Sequence, residues 1–213
     1  MNELSLFTGA GGGLLGTHLL GWTPVCAVEI EPYCREILLR RQRDGVLPLF
    51  PVWDDVRTFD GRPWRGLVDV ITGGFPCQPF SSAAHGRNIK APILDDVARI
   101  VEEVRPRFVM LENVAERALP AGDRARVSAA SMGAAHIRRR WWMVIDADSN
   151  GEPGLPFNDE VARMPQFRSD IWKSHPGSLR VAHGVAYRMG RIKAVGNGQV
   201  PAVVRAAWEV LTQ

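Results

Sequence analysis

The sequence has few cysteines and no long apolar run. Its 213 residues include only three cysteines, an odd number without CxxC spacing, so neither a disulfide framework nor a structural zinc site is indicated. No apolar run approaches the ~20 residues of a membrane span, and the N-terminus lacks the basic start and apolar core of a signal peptide. We therefore expect a cytoplasmic protein with reduced thiols, no membrane contact and no metal.

A large excess of charge of one sign is also absent. The 26 Lys and Arg side chains against 23 Asp and Glu give a net charge of +3, but arginine is clustered at Arg138–Arg140 and around Arg188. Such clusters suit a polyanionic partner without proving one. With 46% hydrophobic and 23% charged side chains, the chain can form one well-buried α/β domain and a small lobe, and we expect a monomer.

The first residues follow a strand, glycine turn and helix pattern. Leu4–Phe7 predicts a strand, Thr8–Gly13 a turn, and the leucines that follow at helical spacing predict a helix up to Gly21. Glycines let a ligand approach the backbone closely, and the start of a helix offers free N–H groups to a carboxylate or phosphate.

An acidic residue ends the next predicted strand, Val25–Val28. This residue, Glu29, follows Gly9 by twenty positions, and a carboxylate at about that distance can accept hydrogen bonds from both ribose hydroxyls of a nucleoside cofactor. The pattern also fits a dinucleotide cofactor. Alternatively, Glu29 is a solvated strand end or part of a helix cap before Pro32.

Two adjacent carboxylates, Asp54 and Asp55, follow a third predicted strand, Leu47–Trp53. Such a pair could ligate a metal ion. No histidine or third carboxylate stands nearby in the sequence to complete a site, so we do not predict a metal centre there.

A proline-flanked cysteine follows the short apolar strand predicted at Val68–Thr72. Within Gly73–Ser81, Pro76 and Pro79 each fix one φ angle on either side of Cys77, and the leading glycines permit close backbone approach. Ligands bind at the carboxyl ends of strands in α/β sheets, so the loop is suited to presenting a thiol to one. The alternative is a buried structural cysteine, the commoner environment of a free thiol.

A carboxylate is expected at the same edge of the sheet, and two arginines follow on a later strand. The apolar run Arg107–Val114 predicts a strand that delivers Glu112 beside Cys77, where a buried carboxylate is costly unless it has a function or a partner. Arg138 and Arg140 alternate on a later strand, and two guanidinium groups at that spacing can hold a phosphate and a base carbonyl together. The alternatives are a Glu112 that faces water and a solvated edge strand.

Alternating strands and helices indicate an α/β fold with a Rossmann-like sheet. Helices are predicted from Pro32 to about Gly45 and over Ile93–Val104, and a hairpin over Ser128–Ala147. Residues 115–126 leave no room for the crossover helix that a doubly wound fold has there, so one such helix is missing and apolar sheet surface is expected to lie uncovered.

These segments together resemble the motifs of the DNA cytosine-5 methyltransferases, in the short form of phage and prophage relatives. The resemblance spans residues 4–201 and implies transfer of a methyl group from S-adenosyl-L-methionine to C5 of cytosine in double-stranded DNA, with a place in restriction-modification. It implies that Cys77 is the nucleophile that adds to C6 of a flipped base, and that Glu112 holds the ring at N3 and the exocyclic amine. Arg138 and Arg140 match the family's Arg-x-Arg pair.

The resemblance also implies a cofactor site and a domain organisation. The expected cofactor contacts are Phe7, Gly9, Gly11, Gly12, Glu29, Ile30, Asp55 and Asn197. Glu29 and Ile30 would contact ribose and adenine, and Asp55 the adenine amino group. Residues 1–147 would form the catalytic and cofactor-binding domain, 148–188 a small irregular target-recognition region, and 189–213 a C-terminal segment that returns to the catalytic domain.

Three other functions are compatible with the sequence. The same catalytic motifs serve enzymes that methylate tRNA, and the shortened sheet suits a relative that binds DNA or cofactor without catalysis. A nicotinamide dehydrogenase would use the glycine turn, but it leaves the Pro-Cys-Gln-Pro sequence unexplained.

Overall fold

The computed structural model of the protein describes residues 1–76, 92–120, 123–134, 136–148, 194 and 198–213. The strands in these residues are β1 (Asn2–Leu6), β2 (Thr23–Val28), β3 (Val52–Trp53), β4 (Val70–Gly74), β5 (Phe108–Asn113), β6 (Asp123–Ser128) and β7 (Arg139–Asp146). The helices are α1 (Gly12–His18), α2 (Pro32–Arg43), α3 (Pro92–Val104) and α4 (Pro201–Leu211).

The strands form one sheet in the order β3-β2-β1-β4-β5-β7-β6. Strands β1 to β5 are parallel, and β7 runs antiparallel between β5 and β6. This architecture confirms the predicted α/β fold with a Rossmann-like sheet. It also brings the carboxyl ends of β1, β2, β4 and β5 to one edge, where such folds bind ligands.

Helices cover both faces of the sheet. Successive residues of β5 point to opposite faces, so Leu111 packs in the cluster that contains Ile100 of α3, whereas Met110 packs with Val203 of α4. Helix α4 also lies against α1, because an added Cβ on Gly16 would stand only 2.5 Å from the Cβ of Val204. The C-terminal helix therefore packs beside the first glycine turn.

Proline sets several element boundaries. Helices α2 and α4 begin at Pro32 and Pro201, where a missing N–H costs no hydrogen bond. The predicted third strand, Leu47–Trp53, is wrong in extent, since only its last two residues pair with β2. Pro48 and Pro51 have no N–H to donate to a ladder, which explains the short strand.

The connection from β5 to β6 is as short as the sequence indicates. Its described residues hold one 3-10 turn, Glu116–Ala118, and Leu119 beside that turn is buried in the main core. The expectation of uncovered apolar surface is met in part, because Ile145 of β7 is 39% exposed, whereas the side chains of β6 on that face include Arg124 and Arg126. The Arg126 guanidinium lies 5.6 Å from the centre of the Trp141 ring, so a cation–π contact covers the indole in place of a helix.

Candidate active site

The glycine turn and the end of β2 are joined by the carboxylate of Glu29. The backbone N–H of Gly9 donates to Glu29 Oε2 at 2.6 Å, and that of Glu31 donates to Oε1 at 2.8 Å. Gly9 and Gly11 adopt positive φ angles of 58° and 84°, which glycine accepts without strain. The two predicted cofactor-binding elements, the glycine turn and Glu29, are thus in direct contact with each other. The hydrogen bond from the Glu31 N–H, at the start of α2, fits the alternative in which Glu29 is part of a helix cap.

An apolar side chain stands exposed beside this carboxylate. Ile30 is 56% exposed, and Arg35 fixes its backbone by donating to the carbonyls of Glu29 and Ile30 at 2.9 and 2.7 Å. Phe7, at the end of β1, has a φ of 52°, which is unusual for a residue with a side chain. Both residues lie at the edge of the sheet where the sequence predicts the cofactor, and Gly12 begins α1 there.

Asp55 occupies a tight turn after β3. Its carboxylate accepts from the backbone N–H of Arg57 at 2.9 Å and from the Arg57 guanidinium at 2.5 to 3.0 Å. These hydrogen bonds hold the pKa of Asp55 below its ordinary value. The structure places Asp54 in an exposed position, and no group of three potential metal ligands occurs among the described residues.

The second half of the site surrounds Glu112 at the end of β5. This carboxylate is 6% exposed, and its Oε1 lies 2.9 Å from Nε of Arg140. Its Oε2 accepts from Nε2 of Gln199 at 3.3 Å. Burial raises the pKa of Glu112, while Arg140, Gln199 and Arg138 act in the opposite direction. Glu112 and Arg140 therefore form a largely buried ion pair, which the sequence analysis does not predict.

Arg138 contacts the segment that precedes α4. Its Nη2 donates to the carbonyl of Gly198 at 2.5 Å, so it connects the start of β7 to the residues just before α4. Burial, together with the neighbouring charge of Arg140, lowers the pKa of Arg138. A guanidinium has an ordinary pKa well above neutrality, so this side chain stays cationic and enhances the positive field around Glu112.

Cys77 and Asn197 lie outside the described residues, and the described chain before Cys77 ends at Pro76. Gly74 pairs with Glu112, and an added Cβ on Gly74 would stand 2.8 Å from Glu112 Oε2. Nδ2 of Asn113 donates to the carbonyl of Phe75 at 3.0 Å. The backbone that enters the Pro-Cys-Gln-Pro sequence therefore runs against the buried carboxylate.

Two side chains of the site, Gln199 and Asn113, are not among the predicted catalytic or cofactor-binding residues. Asn113 is 2% exposed at the end of an apolar strand, and a polar residue in that setting is a sign of a hydrogen-bonding role. Gln199 stands among glycine and apolar residues just before α4. Its polarity was a detectable signal, but its partner depends on where α4 packs.

An open cleft connects the two halves of the site. Its volume is about 830 Å³, within the usual range of ligand pockets. The residues that line it include Gly12, Arg41, Arg138, Arg139, Arg140 and Gln199. The cleft thus runs from the first glycine motif to the arginines of β7 and is rich in positive charge.

Comparison with solved structures defines the class of the fold. A chain described as a DNA modification methyltransferase encoded within an E. coli prophage aligns with a TM-score of 0.52 and 26% identity, over 68% of this chain and 46% of that one. The DNMT2 protein of Spodoptera frugiperda aligns with a TM-score of 0.57 at 16% identity, over 78% of this chain and 56% of that one. The fold is the Rossmann-like fold of methyltransferases.

Sequence comparison then gives the family. Residues 1–120, more than half of the chain, match the model of the C-5 cytosine-specific DNA methylases, and the chain belongs to that family. Type II methyltransferase M.NgoMIV of Neisseria gonorrhoeae is 36% identical over 115 residues, which are 53% of this chain and 35% of that protein. M.Eco47II of Escherichia coli is 36% identical over 118 residues, 52% of this chain and 26% of that protein. The matched region spans about a third or less of these relatives.

Within the part of the chain that the structure describes, the helices lack the length and apolarity needed to cross a bilayer.

Proposed function

We propose that the protein transfers a methyl group from S-adenosyl-L-methionine to C5 of cytosine in double-stranded DNA. The observation that carries this proposal is the buried Glu112–Arg140 pair, with an N–O distance of 2.9 Å, at the strand edge beside Gly74. Cys77 follows Gly74 by three residues in the sequence. A thiol nucleophile and a proton-exchanging carboxyl group are the two functions that addition to a pyrimidine requires.

The residues around the glycine turn fit a nucleoside cofactor. Both oxygens of Glu29 are oriented by backbone N–H groups, and each keeps a lone pair that could accept a ribose hydroxyl. The exposed Ile30 offers an apolar surface to an adenine ring, and the turn between Phe7 and Gly12 brings backbone close to the ligand. When bound, S-adenosyl-L-methionine supplies an electrophilic methyl group on a sulfonium centre.

The chemistry on the base uses Cys77 and Glu112. The thiolate of Cys77 forms a bond to C6 of cytosine, while Glu112 stabilises the ring as it becomes protonated at N3. This addition turns C5 into an enamine carbon that can accept the methyl group, and S-adenosyl-L-homocysteine would leave as the demethylated thioether. Loss of the C5 proton and cleavage of the bond between sulfur and C6 then release 5-methylcytosine and the free enzyme.

The cleft explains how such a base could be held. Cytosine inside a duplex is inaccessible, so it must rotate out of the stack into a pocket. Arg138 and Arg140 line the cleft, and rigid guanidinium groups suit both the base carbonyl and the displaced phosphates. The volume and the positive charge of the cleft are therefore consistent with the binding of a flipped nucleotide.

A trapping assay tests this proposal. Duplex DNA that carries 5-fluorocytosine at candidate sites should form a covalent adduct with the full chain in the presence of S-adenosyl-L-methionine, because fluorine cannot leave C5 as a proton does. Cys77→Ala should give no adduct, and bisulfite sequencing of DNA from expressing cells should reveal the methylated sequence. Absence of an adduct with the unaltered chain on every sequence tested would overturn the proposal.

A second candidate is a relative that binds DNA and cofactor without catalysis. It is favoured by the short connection from β5 to β6 and by a family match that ends at residue 120. This protein would bind duplex DNA but leave it unmethylated and form no adduct. Parallel assays on duplex DNA and tRNA would also identify the remaining alternative, the same chemistry on tRNA.

A further inference from the structure

The amide of Gln199 is enclosed between the glycine-rich start of α1 and the ends of β4 and β5. Nε2 of Gln199 lies 3.3 Å from Oε2 of Glu112. An added Cβ on Gly13 would stand 2.4 Å from Oε1 of Gln199, and one on Gly74 would stand 2.7 Å from Nε2. The two glycines therefore leave room for this one side chain against the carboxylate.

The surroundings also fix which way the amide faces. Oε1 of Glu112 is occupied by Arg140, and an ionised carboxylate can only accept hydrogen bonds. The amide nitrogen of Gln199 must therefore face Oε2, because the amide oxygen would repel it. The backbone of Gln199 is equally confined, since an added Cβ on Gly12 would stand 2.2 Å from its carbonyl oxygen.

We propose that Gln199 is a positioning residue for Glu112, which orients the carboxyl group toward the base and links it to the glycine turn of the cofactor site. This role rests on the proposed function, since it assumes that Glu112 acts on a cytosine ring. Arg140 and Gln199 hold one carboxylate oxygen each, so together they fix the plane of the carboxyl group.

The physical consequence of losing Gln199 follows from the burial of Glu112. Burial disfavours the ionised carboxylate, and the hydrogen bond from Gln199 favours it. Gln199→Met keeps the length and flexibility of the side chain but cannot donate. We therefore expect the pKa of Glu112 to rise and its carboxyl group to be less well oriented.

Gly13→Ala provides an independent way to break the same contact. The new methyl group would meet the end of the Gln199 side chain, which can swing away, rather than fixed backbone. Alanine is also a better helix former than glycine, so α1 should be retained. This variant should therefore reproduce the effect of Gln199→Met on Glu112 while Gln199 itself is unaltered.

A titration of Glu112 by ¹³C NMR tests the contact directly in the full chain. Its carboxyl signal would be assigned with Glu112→Gln. The pKa should be higher in both Gln199→Met and Gly13→Ala than in the unaltered protein. Gln42→Met is the matched control, because it removes another glutamine hydrogen bond, the 2.9 Å contact to the Phe50 carbonyl, which does not involve Glu112. It should leave the Glu112 titration unchanged.

Kinetics separate positioning from general structural support. In Gln199→Met we expect kcat for methyl transfer to fall about tenfold, as loss of one hydrogen bond to a charged group would produce. The KM for S-adenosyl-L-methionine should change less than about twofold, since the hydrogen bond from Gln199 contributes no cofactor-binding energy of its own.

An unchanged Glu112 titration, or an unchanged kcat in a protein that methylates, would overturn the inference. If the unaltered chain methylates nothing, the proposed function fails, and the titration still decides whether Gln199 controls Glu112.

Discussion

Individual charged residues in this protein are buried with specific partners, and Glu112 is the clearest case. Its carboxylate is 6% exposed and is met by Arg140 on one oxygen and Gln199 on the other. Removing one partner of a buried ion pair leaves the other uncompensated, which costs more than the pair itself contributes. Substitution of a partner of Glu112 should therefore change the stability of the protein as well as its activity.

Arg140→Met should destabilise the protein in a pH-dependent manner. At pH 8 we expect the free energy of unfolding to fall by about 2 kcal/mol, since Glu112 must stay charged without its partner or become protonated. At pH 5 the loss should be smaller, because burial raises the pKa of Glu112 and protonation removes the charge. Urea unfolding at the two pH values measures both quantities.

Two further variants make this prediction specific. Glu112→Gln combined with Arg140→Met should recover most of the lost stability, because no uncompensated charge is left. Arg139→Met removes a neighbouring exposed arginine and should change stability by less than about 0.5 kcal/mol at either pH. A loss in Arg140→Met that does not depend on pH would contradict the argument.

Glu3 is a second buried carboxyl group, near the start of β1. It is 0% exposed, and it accepts hydrogen bonds from the hydroxyls of Thr17 and, at 2.5 Å, Thr72. Burial raises its pKa from 4.5 to about 6 despite these hydroxyls. A raised pKa means that the folded state favours the neutral form, so the associated stability is fully present below pH 4.5 and is lost as pH rises through 6.

Glu3→Gln should remove this pH dependence. A pKa change from 4.5 to about 6 corresponds to about 2 kcal/mol, at 1.36 kcal/mol for each pH unit. The variant should therefore gain about 2 kcal/mol relative to the unaltered protein between pH 4 and pH 7. Parallel stability curves for the two proteins over this range would exclude a neutral Glu3 in the folded state.

At this scale the sequence indicates contacts between strand ends but misses contacts that depend on a returning helix. Glu29 beside Gly9 could be inferred because both follow strands of the parallel sheet, whose carboxyl ends meet at one edge. The contact of Glu112 with Arg140 could not, because Arg140 lies near the start of β7, which runs antiparallel to β5. Gln199 could not be assigned to Glu112, because its position depends on how α4 packs against α1. The bond from Arg57 to Asp55 was also missed, since a local turn decides it.

Among the elements, α1 and α4 are held together by an unusually close approach. An added Cβ on Gly16 would stand 2.5 Å from the Cβ of Val204 and 2.7 Å from the carbonyl oxygen of Pro201. Neither atom belongs to the end of a flexible side chain. The position of α4, and with it of Gln199, therefore depends on the absence of a side chain at residue 16.

Gly16→Ala should destabilise the protein although alanine favours helices. We expect the free energy of unfolding to fall by about 1–3 kcal/mol, since overpacking of a close interface forces the backbone of α4 to move. Gly13→Ala, on the same helix, meets only the end of the Gln199 side chain and should cost less. Chemical unfolding of the two variants measures the difference, and equal costs would show that α4 is not seated on Gly16.

The elements themselves follow from the sequence to different degrees. The helix starts at Pro32 and Pro201 could be predicted because proline fits the first turn of a helix. The parallel strands with continuous apolar runs were also evident. The predicted third strand was too long, because Pro48 and Pro51 lack the backbone N–H that a longer pairing with β2 would use. The short connection after β5 was predicted, but the stacking of Arg126 on Trp141 was not, because it joins two strands through their register.

At the scale of the whole molecule, charge is unevenly distributed. The net charge is only +3, yet Arg41, Arg138, Arg139 and Arg140 line one cleft. On the side of α3, arginines instead pair with acidic side chains, as Arg105 does with Glu102 at 3.0 Å. A polyanion should therefore bind at the cleft rather than on the α3 side.

Duplex binding should depend on salt in a way that identifies this cleft. Each phosphate contact contributes about 0.9 to the slope of log K against log salt concentration, because binding releases condensed counterions. Arg139 is exposed at the cleft, so Arg139→Gln should reduce the slope by about one. Arg105→Gln removes the same charge from the α3 side and should leave the slope unchanged. Fluorescence anisotropy with a labelled duplex between 50 and 200 mM salt measures both slopes. If Arg105→Gln lowers the slope as much as Arg139→Gln, attraction by overall charge explains binding, and the cleft is not the path of the DNA backbone.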